Sequence, residues 1–251
     1  MNYRKVLWPA FAGIVFVFLI AGSNFLIAAF GHESKSQAMS KTISESNSVS
    51  ATSLAIALLF SEMIVAVVAI ALLGISIIQS QINFFEFTKW YWNLRHAGMD
   101  FAVAIMILIG SLILELIWVT IVRFFIKGPT GDVSGFALPD GSHTNLLLRL
   151  TYPLLLVIMA PLMEEILFRV VIFQGLASVV RIRYAIVISA LVFAAAHLQP
   201  TLSATITTLP VIFVLGLVMA YRFWKYQRFS ANWFVHIAIN TLPAISLMLQ
   251  K

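Results

Sequence analysis

The chain has 251 residues, of which 61% are hydrophobic and only 10% charged, with a mean hydropathy of +0.98 and a formal net charge of +6. This composition excludes a soluble domain and describes a polytopic membrane protein. The lack of cysteine excludes disulfides, thiolate metal sites and a cysteine nucleophile. The Lys and Arg residues are spread through the connections between apolar runs, so the positive charge reads as topology and lipid-headgroup contact, with no nucleic-acid surface.

Apolar runs long enough for an α-helix to cross ~30 Å of hydrocarbon recur along the chain, without the ten-residue alternation of barrel strands. The expected fold is therefore all-α: a transmembrane helical bundle of about seven spans (7–8), with a catalytic core in the C-terminal four. Arg4 and Lys5 precede a run from Leu7 to Phe30, longer than the ~7 to 15 residues of a cleavable signal core, which is read as an uncleaved first span. Gly31 to Ser50 is polar and Ser-rich, an expected exposed loop. Ala51 to Ile78 forms the second span, with Glu62 near its start. Gln79 to Asp100 mixes Phe84, Phe85, Phe87, Trp90, Tyr91 and Trp92 with Lys89 and Arg95, the composition of an anchor in the headgroup region; the other reading is a gate or docking surface for a substrate entering sideways.

Phe101 to Ile126 forms the third span, with Glu115 midway, either a structural hydrogen-bonding residue or a peripheral member of a site. Turn signals between Lys127 and Thr144 then divide the chain into an N-terminal part, 1–127, and a core, 146–249. The core reads as four spans: Leu146 to Val180, Tyr184 to Leu198, Thr201 to Trp224 and Asn232 to Leu249. The first is too long for one straight crossing, and Pro153 and Pro161 are expected to kink or break it. In a seven-span arrangement the larger share of loop cations, among them Arg181, Arg183, Arg222, Lys225 and Arg228, falls on the side of the N-terminus, which places that end inside.

The core holds the residues that could do chemistry. Glu164, Glu165 and Arg169 sit inside an apolar run, where each ionisable group costs roughly 2.5 to 3.5 kcal/mol and so requires a partner. At ~100° per residue Glu165 and Arg169 lie about 40° apart, whereas Glu164 and Arg169 lie about 140° apart. Arg169 is thus expected to pair with Glu165, leaving Glu164 to point elsewhere. Downstream, Phe193 and His197 share one helix face, and His236 and Asn240 share another, each at i, i+4 spacing. Only five histidines exist, and His32, His96 and His143 fall in connections. Two imidazoles, an amide and a carboxylate are the parts needed to hydrolyse a peptide bond: Glu164 as base, His197 holding the water, and His236 with Asn240 as oxyanion donors. The plainer alternative is that these groups only hydrogen-bond between helices.

Glu164-Glu165-x-x-x-Arg169, Phe193-x-x-x-His197 and His236-x-x-x-Asn240, in that order, resemble the motif set of the CPBP family, intramembrane glutamic endopeptidases that include type II CAAX prenyl proteases and bacteriocin-processing or immunity proteins. The resemblance covers roughly Leu146 to Thr241 and is close around Ser189 to Leu198. It implies water activation by the first glutamate and the second-motif histidine, with the last histidine and asparagine on the oxyanion. It departs from the family where Asn240 is followed by Thr241 and where Arg228 to Trp233 only loosely matches a small-residue turn.

The expected function is intramembrane proteolysis of a membrane-associated peptide or protein, in the lipid bilayer of the cell (plasma) membrane, with no cofactor. A minority alternative gives Glu164, His197 and His236 to Zn²⁺ with Glu165 as base, although paired His-Glu-x-x-His ligands are missing and Arg169 opposes a cation. Two other classes compete. A non-catalytic scaffold, immunity or regulatory protein would use the same pocket for binding. A proton- or ion-coupled transporter would show two similar halves, which this chain lacks.

Overall fold

The computed structural model describes residues 7–21, 47–90, 94–125, 153–199 and 202–249. No strand occurs among them, in keeping with an all-α protein. In chain order the helices are α1 (Leu7–Ala21), α2 (Asn47–Ser80), α3 (Phe84–Thr88), α4 (Leu94–Phe125), α5 (residues 155–177), α6 (Ile182–Ala195), α7 (Leu202–Tyr226) and α8 (Phe229–Leu249). Three stretches are long and apolar enough to cross a membrane: Met63–Ser80, His96–Phe125 and Leu202–Tyr226. Leu7–Ala21 and Ile182–Ala195 are shorter apolar helices. The turn region between Lys127 and Thr144, most of the Ser-rich loop, and the Glu62 side chain lie outside the described residues, although the end of that loop, from Asn47, is already helix.

The core is built around α5. Its residues 165–173 are all buried, and one apolar cluster surrounds them, including Val17 of α1, Leu72 of α2, Phe87 of α3, Phe193 of α6, Phe223 of α7 and Phe229 of α8. α6 lies along α7, α8 along α4, and α2 along the second half of α5. α4 sits on the perimeter, with only 6% of its apolar stretch buried, as a helix turned towards lipid would be.

Of the kink or break expected at the prolines, no break occurs at Pro161, and the residues before Pro153 lie outside the described ones. The chain stays helical but widens into π turns at Leu155–Met159 and Glu165–Phe173, with Pro161 in the first turn of the short α segment between them. Because the helix runs on through this position, the missing N–H of Pro161 removes one intrahelical donor. The wider turns leave carbonyls that other helices must satisfy. Ala160 N–H bonds the Leu155 carbonyl, but Pro161 has no N–H to continue that series, and the Leu156 carbonyl instead accepts from Asn240 Nδ2 at 3.1 Å. Further along, Ser189 Oγ donates to the Phe168 carbonyl at 3.0 Å.

A third proline, Pro210, stands inside α7, where it removes the donor for the Ile206 carbonyl one turn back. Trp118 of α4 replaces it, its indole N–H donating to that carbonyl at 2.8 Å. In a membrane, where water cannot fill such gaps, these cross-helix donors decide which broken turns are permissible.

The aromatic segment Gln79–Asp100 is divided between surface and core. Phe84 and Phe85 are exposed, as an interfacial anchor would be, but Phe87 is fully buried and its carbonyl accepts from Gln174 Nε2 at 2.9 Å. Trp90 stacks on Phe229, with ring centroids 4.9 Å apart. Tyr91 and Trp92 lie outside the described residues.

Candidate active site

The site forms where α5, α6 and α8 meet. Because adjacent helical residues diverge, the two glutamates face different surroundings. Glu165 is fully buried, and three groups from two helices converge on it. Arg169 Nε lies 3.5 Å from Oε2, Asn232 Nδ2 lies 3.3 Å from the same oxygen, and His236 Nδ1 lies 3.1 Å from Oε1. A carboxylate can only accept, so His236 carries a proton on Nδ1 and turns Nε2 outward. The expected Glu165–Arg169 pairing is present. The Arg169 guanidinium also lies over the Phe193 ring, 4.7 Å from its centroid, which places the delocalised charge against a π face in a dry setting.

Glu164 points the other way. Its side chain is 21% exposed, and its Oε2 atom faces two imidazoles: His236 Nε2 at 3.6 Å and His197 Nε2 at 3.9 Å. Both separations exceed a direct hydrogen bond and suit groups that share one small bridging molecule. His197 is 27% exposed, so the site opens on the Glu164–His197 side and is closed on the Glu165 side.

His197 lies just past the end of a helix, not within one as its place in the run Tyr184 to Leu198 predicts. α6 ends at Ala195 after 14 residues, or about 21 Å of helix against ~30 Å of hydrocarbon. His197 follows in a turn, where its own N–H reaches the Ala194 carbonyl at 2.9 Å. The Phe193 carbonyl is among those that a helix end leaves unpaired, and His197 Nδ1 approaches it at 2.8 Å. A carbonyl has no proton to give, so Nδ1 is the donor, and in the neutral ring Nε2 presents its lone pair to the site. Phe193 supports this arrangement from below, its ring centroid 4.7 Å from that of His197, 6.1 Å from that of His236 and 5.1 Å from that of Phe168.

Of the residues singled out from sequence, Glu164, Glu165, Arg169, Phe193, His197 and His236 therefore form one connected group. Asn240 is half-buried one turn beyond His236 and places Nδ2 on the Leu156 carbonyl. Asn232 was missed as a site residue, although Asn232, His236 and Asn240 recur at i, i+4, i+8 and so define one face of α8; that spacing was the available signal. Among the described residues no group of three or more His, Asp or Glu side chains is arranged to hold a metal ion.

Ionisable groups gathered within an apolar helical bundle, here Glu165, Arg169 and His236 buried and Glu164 and His197 part-exposed beside them, are a feature of intramembrane functional sites. Residues 146–242 match the family model described as type II CAAX prenyl endopeptidase Rce1-like. The match supports the CPBP/CAAX protease family for this part of the chain, and the matched region contains every site residue described above. No curated protein and no solved structure matches it. The family is one of membrane-embedded proteases, so peptidase activity on a peptide or protein is the activity it indicates.

Proposed function

We propose that this protein is a glutamic intramembrane endopeptidase, acting at the cell membrane on a membrane-associated peptide or protein, and that it needs no metal. The observation that carries this reading is the convergence of Glu164 Oε2 with His197 Nε2 and His236 Nε2 on the one open side of the network. A water held between Glu164 and His197 gives one hydrogen bond to the carboxylate and one to the His197 lone pair. Its own lone pair is then free to attack a scissile carbonyl. Glu164 takes a proton as the C–O bond forms and returns it to the leaving amine. His236, held through Nδ1 by the Glu165 carboxylate, aims Nε2 at the open side, where in the doubly protonated ring the Nε2–H can stabilise the oxyanion. Asn240 has a second amide hydrogen beyond the one given to Leu156, and it is assigned to the same oxyanion. The Arg169 guanidinium beside Glu165 disfavours a cation at this position, which is why a metal-free mechanism is preferred.

The test is cleavage of a peptide panel, prenylated and unprenylated, by purified protein in liposomes, with and without chelator. Glu164→Gln and His197→Ala are expected to lower kcat by about 10²- to 10⁴-fold, the usual worth of a positioned base. Chelator is expected to leave the wild type unchanged. Activity abolished by chelator and restored by Zn²⁺ would replace this mechanism with metal-activated water. Tight peptide binding without any cleavage would point to a scaffold or immunity role.

A further inference from the structure

We propose that Asn232 is a positioning residue, which fixes the Glu165 carboxylate and through it the orientation and Nδ1 protonation of His236. This inference rests on the proteolytic reading only for its kinetic consequence.

Asn232 is 1% exposed and sits one turn before His236 on α8. Its Nδ2 has two hydrogens and two acceptors in reach: the Met219 carbonyl of α7 at 2.8 Å and Glu165 Oε2 of α5 at 3.3 Å. With both hydrogens committed, the amide cannot rotate without losing a buried bond. The side chain therefore locks three helices to one carboxylate. This matters because the other holds on Glu165 leave its plane free to turn. Arg169 Nε stands 3.5 Å from Oε2, a long contact, and His236 is the group being positioned. Asn232 thus stops the carboxylate from swinging to meet Arg169 more closely and drawing Oε1 away from His236. A groups-of-two reading, in which Arg169 alone neutralises Glu165, gives no reason for a fully buried amide at this point. Outer partners that hold the proton-bearing side of a histidine typically affect function by about 10- to 100-fold when removed.

The experiment pairs a spectroscopic readout with a kinetic one on the full chain in detergent or liposomes. With ¹⁵N-labelled histidine, wild-type protein is expected to give a downfield, slowly exchanging Nδ1–H resonance for His236, assigned by its loss in His236→Gln. In Asn232→Leu that resonance should move upfield and exchange faster, and in Asn232→Asp, which sets a second carboxylate against Glu165, it should be lost. Asn232→Ser keeps a donor and should fall between wild type and Asn232→Leu, which keeps the question answerable if the larger changes impair folding. In the cleavage assay kcat should drop about 10- to 100-fold in Asn232→Leu with KM little changed. A His236 resonance identical to wild type in both Asn232→Leu and Asn232→Ser overturns the proposal. A wild type that cleaves nothing but shows the resonance shifts would instead leave the positioning role standing and remove the protease reading.

Discussion

Glu164 and Glu165 differ by one position in the chain, and their environments assign them opposite duties. Glu165 is the counter-charge of a guanidinium with no access to water, so removing its charge leaves Arg169 buried and uncompensated, a change worth about 3 to 5 kcal/mol in such pairs. Glu165→Gln is therefore expected to lower the thermal unfolding temperature in detergent as well as activity. Glu164→Gln should lower kcat by about 10²- to 10⁴-fold while leaving unfolding nearly unchanged, because Oε2 of Glu164 has no hydrogen-bond partner among the described residues to lose. Replacing Glu165 and Arg169 together by Leu and Met should be less destabilising than Glu165→Gln alone, since no orphan charge remains. Measuring unfolding and turnover on the same preparations separates the two duties; a Glu164→Gln protein as unstable as Glu165→Gln would contradict the assignment. This division was legible in the sequence because i, i+4 spacing alone selects Glu165 for Arg169. The role of Asn232 was not, because its acceptors lie 67 and 13 positions away and only tertiary packing brings them together.

At the scale of the element, the helices were legible from hydrophobic run length, but the way their irregular turns are satisfied was not. Pro161 and Pro210 could be seen as breakers; the π turns and the donors from Asn240 and Trp118 depend on neighbours contributed by distant segments. Trp118→Phe keeps the ring and deletes the donor, leaving the Ile206 carbonyl unpaired beside Pro210. It should destabilise by about 1 to 3 kcal/mol, read from unfolding in detergent, with Trp118→Leu no better. The α6–α7 contact is equally local. A Cβ on Gly216 would meet the Ala190 backbone at 3.1 Å and the Phe193 ring at 3.2 Å. Replacement of Gly by Ala in a helix interior ordinarily gains about 1 kcal/mol. Here the neighbouring helix backbone cannot yield locally, and Phe193 is already wedged between Phe168 and the two histidines. Gly216→Ala is therefore expected to be neutral or destabilising, and Gly216→Val destabilising by roughly 1 to 3 kcal/mol with a larger fall in activity, because the displaced ring supports His197. A gain in stability with Gly216→Ala would show that α6 and α7 are not held at this separation.

At the scale of the whole molecule, the candidate site is built from the C-terminal region, and N-terminal helices pack against the elements that carry it. Nothing in the first half of the sequence signals this, because the contacts are apolar or involve residues that read as loop charges. Arg222 and Arg228 read in the sequence as topology determinants, yet both converge on Asp100 near the start of α4. Arg228 grips both carboxylate oxygens, and Arg222, 7% exposed, places Nη2 4.0 Å from Oδ1. This cluster ties α4 to the corner between α7 and α8, the helix that carries Asn232 and His236. The same corner is held on its other side, where Phe229 N–H donates to the Lys89 carbonyl at 3.0 Å and Trp90 stacks on Phe229. With Asp100→Asn, two guanidinium groups face each other without an anion, one of them shielded from water, and the penalty resembles that of breaking a buried pair rather than a surface one. The expected result is a loss of several kcal/mol, about 3 to 5 by analogy with such pairs, together with reduced cleavage although no catalytic group has been touched. Arg228→Gln should be milder, since it leaves Asp100 and Arg222 paired. Adding Arg222→Met to Asp100→Asn should restore part of both stability and turnover by removing the shielded cation. If the double variant is no better than Asp100→Asn, repulsion at the corner is not the cause, and the carboxylate acts instead by aligning Arg228 with the first turn of α8.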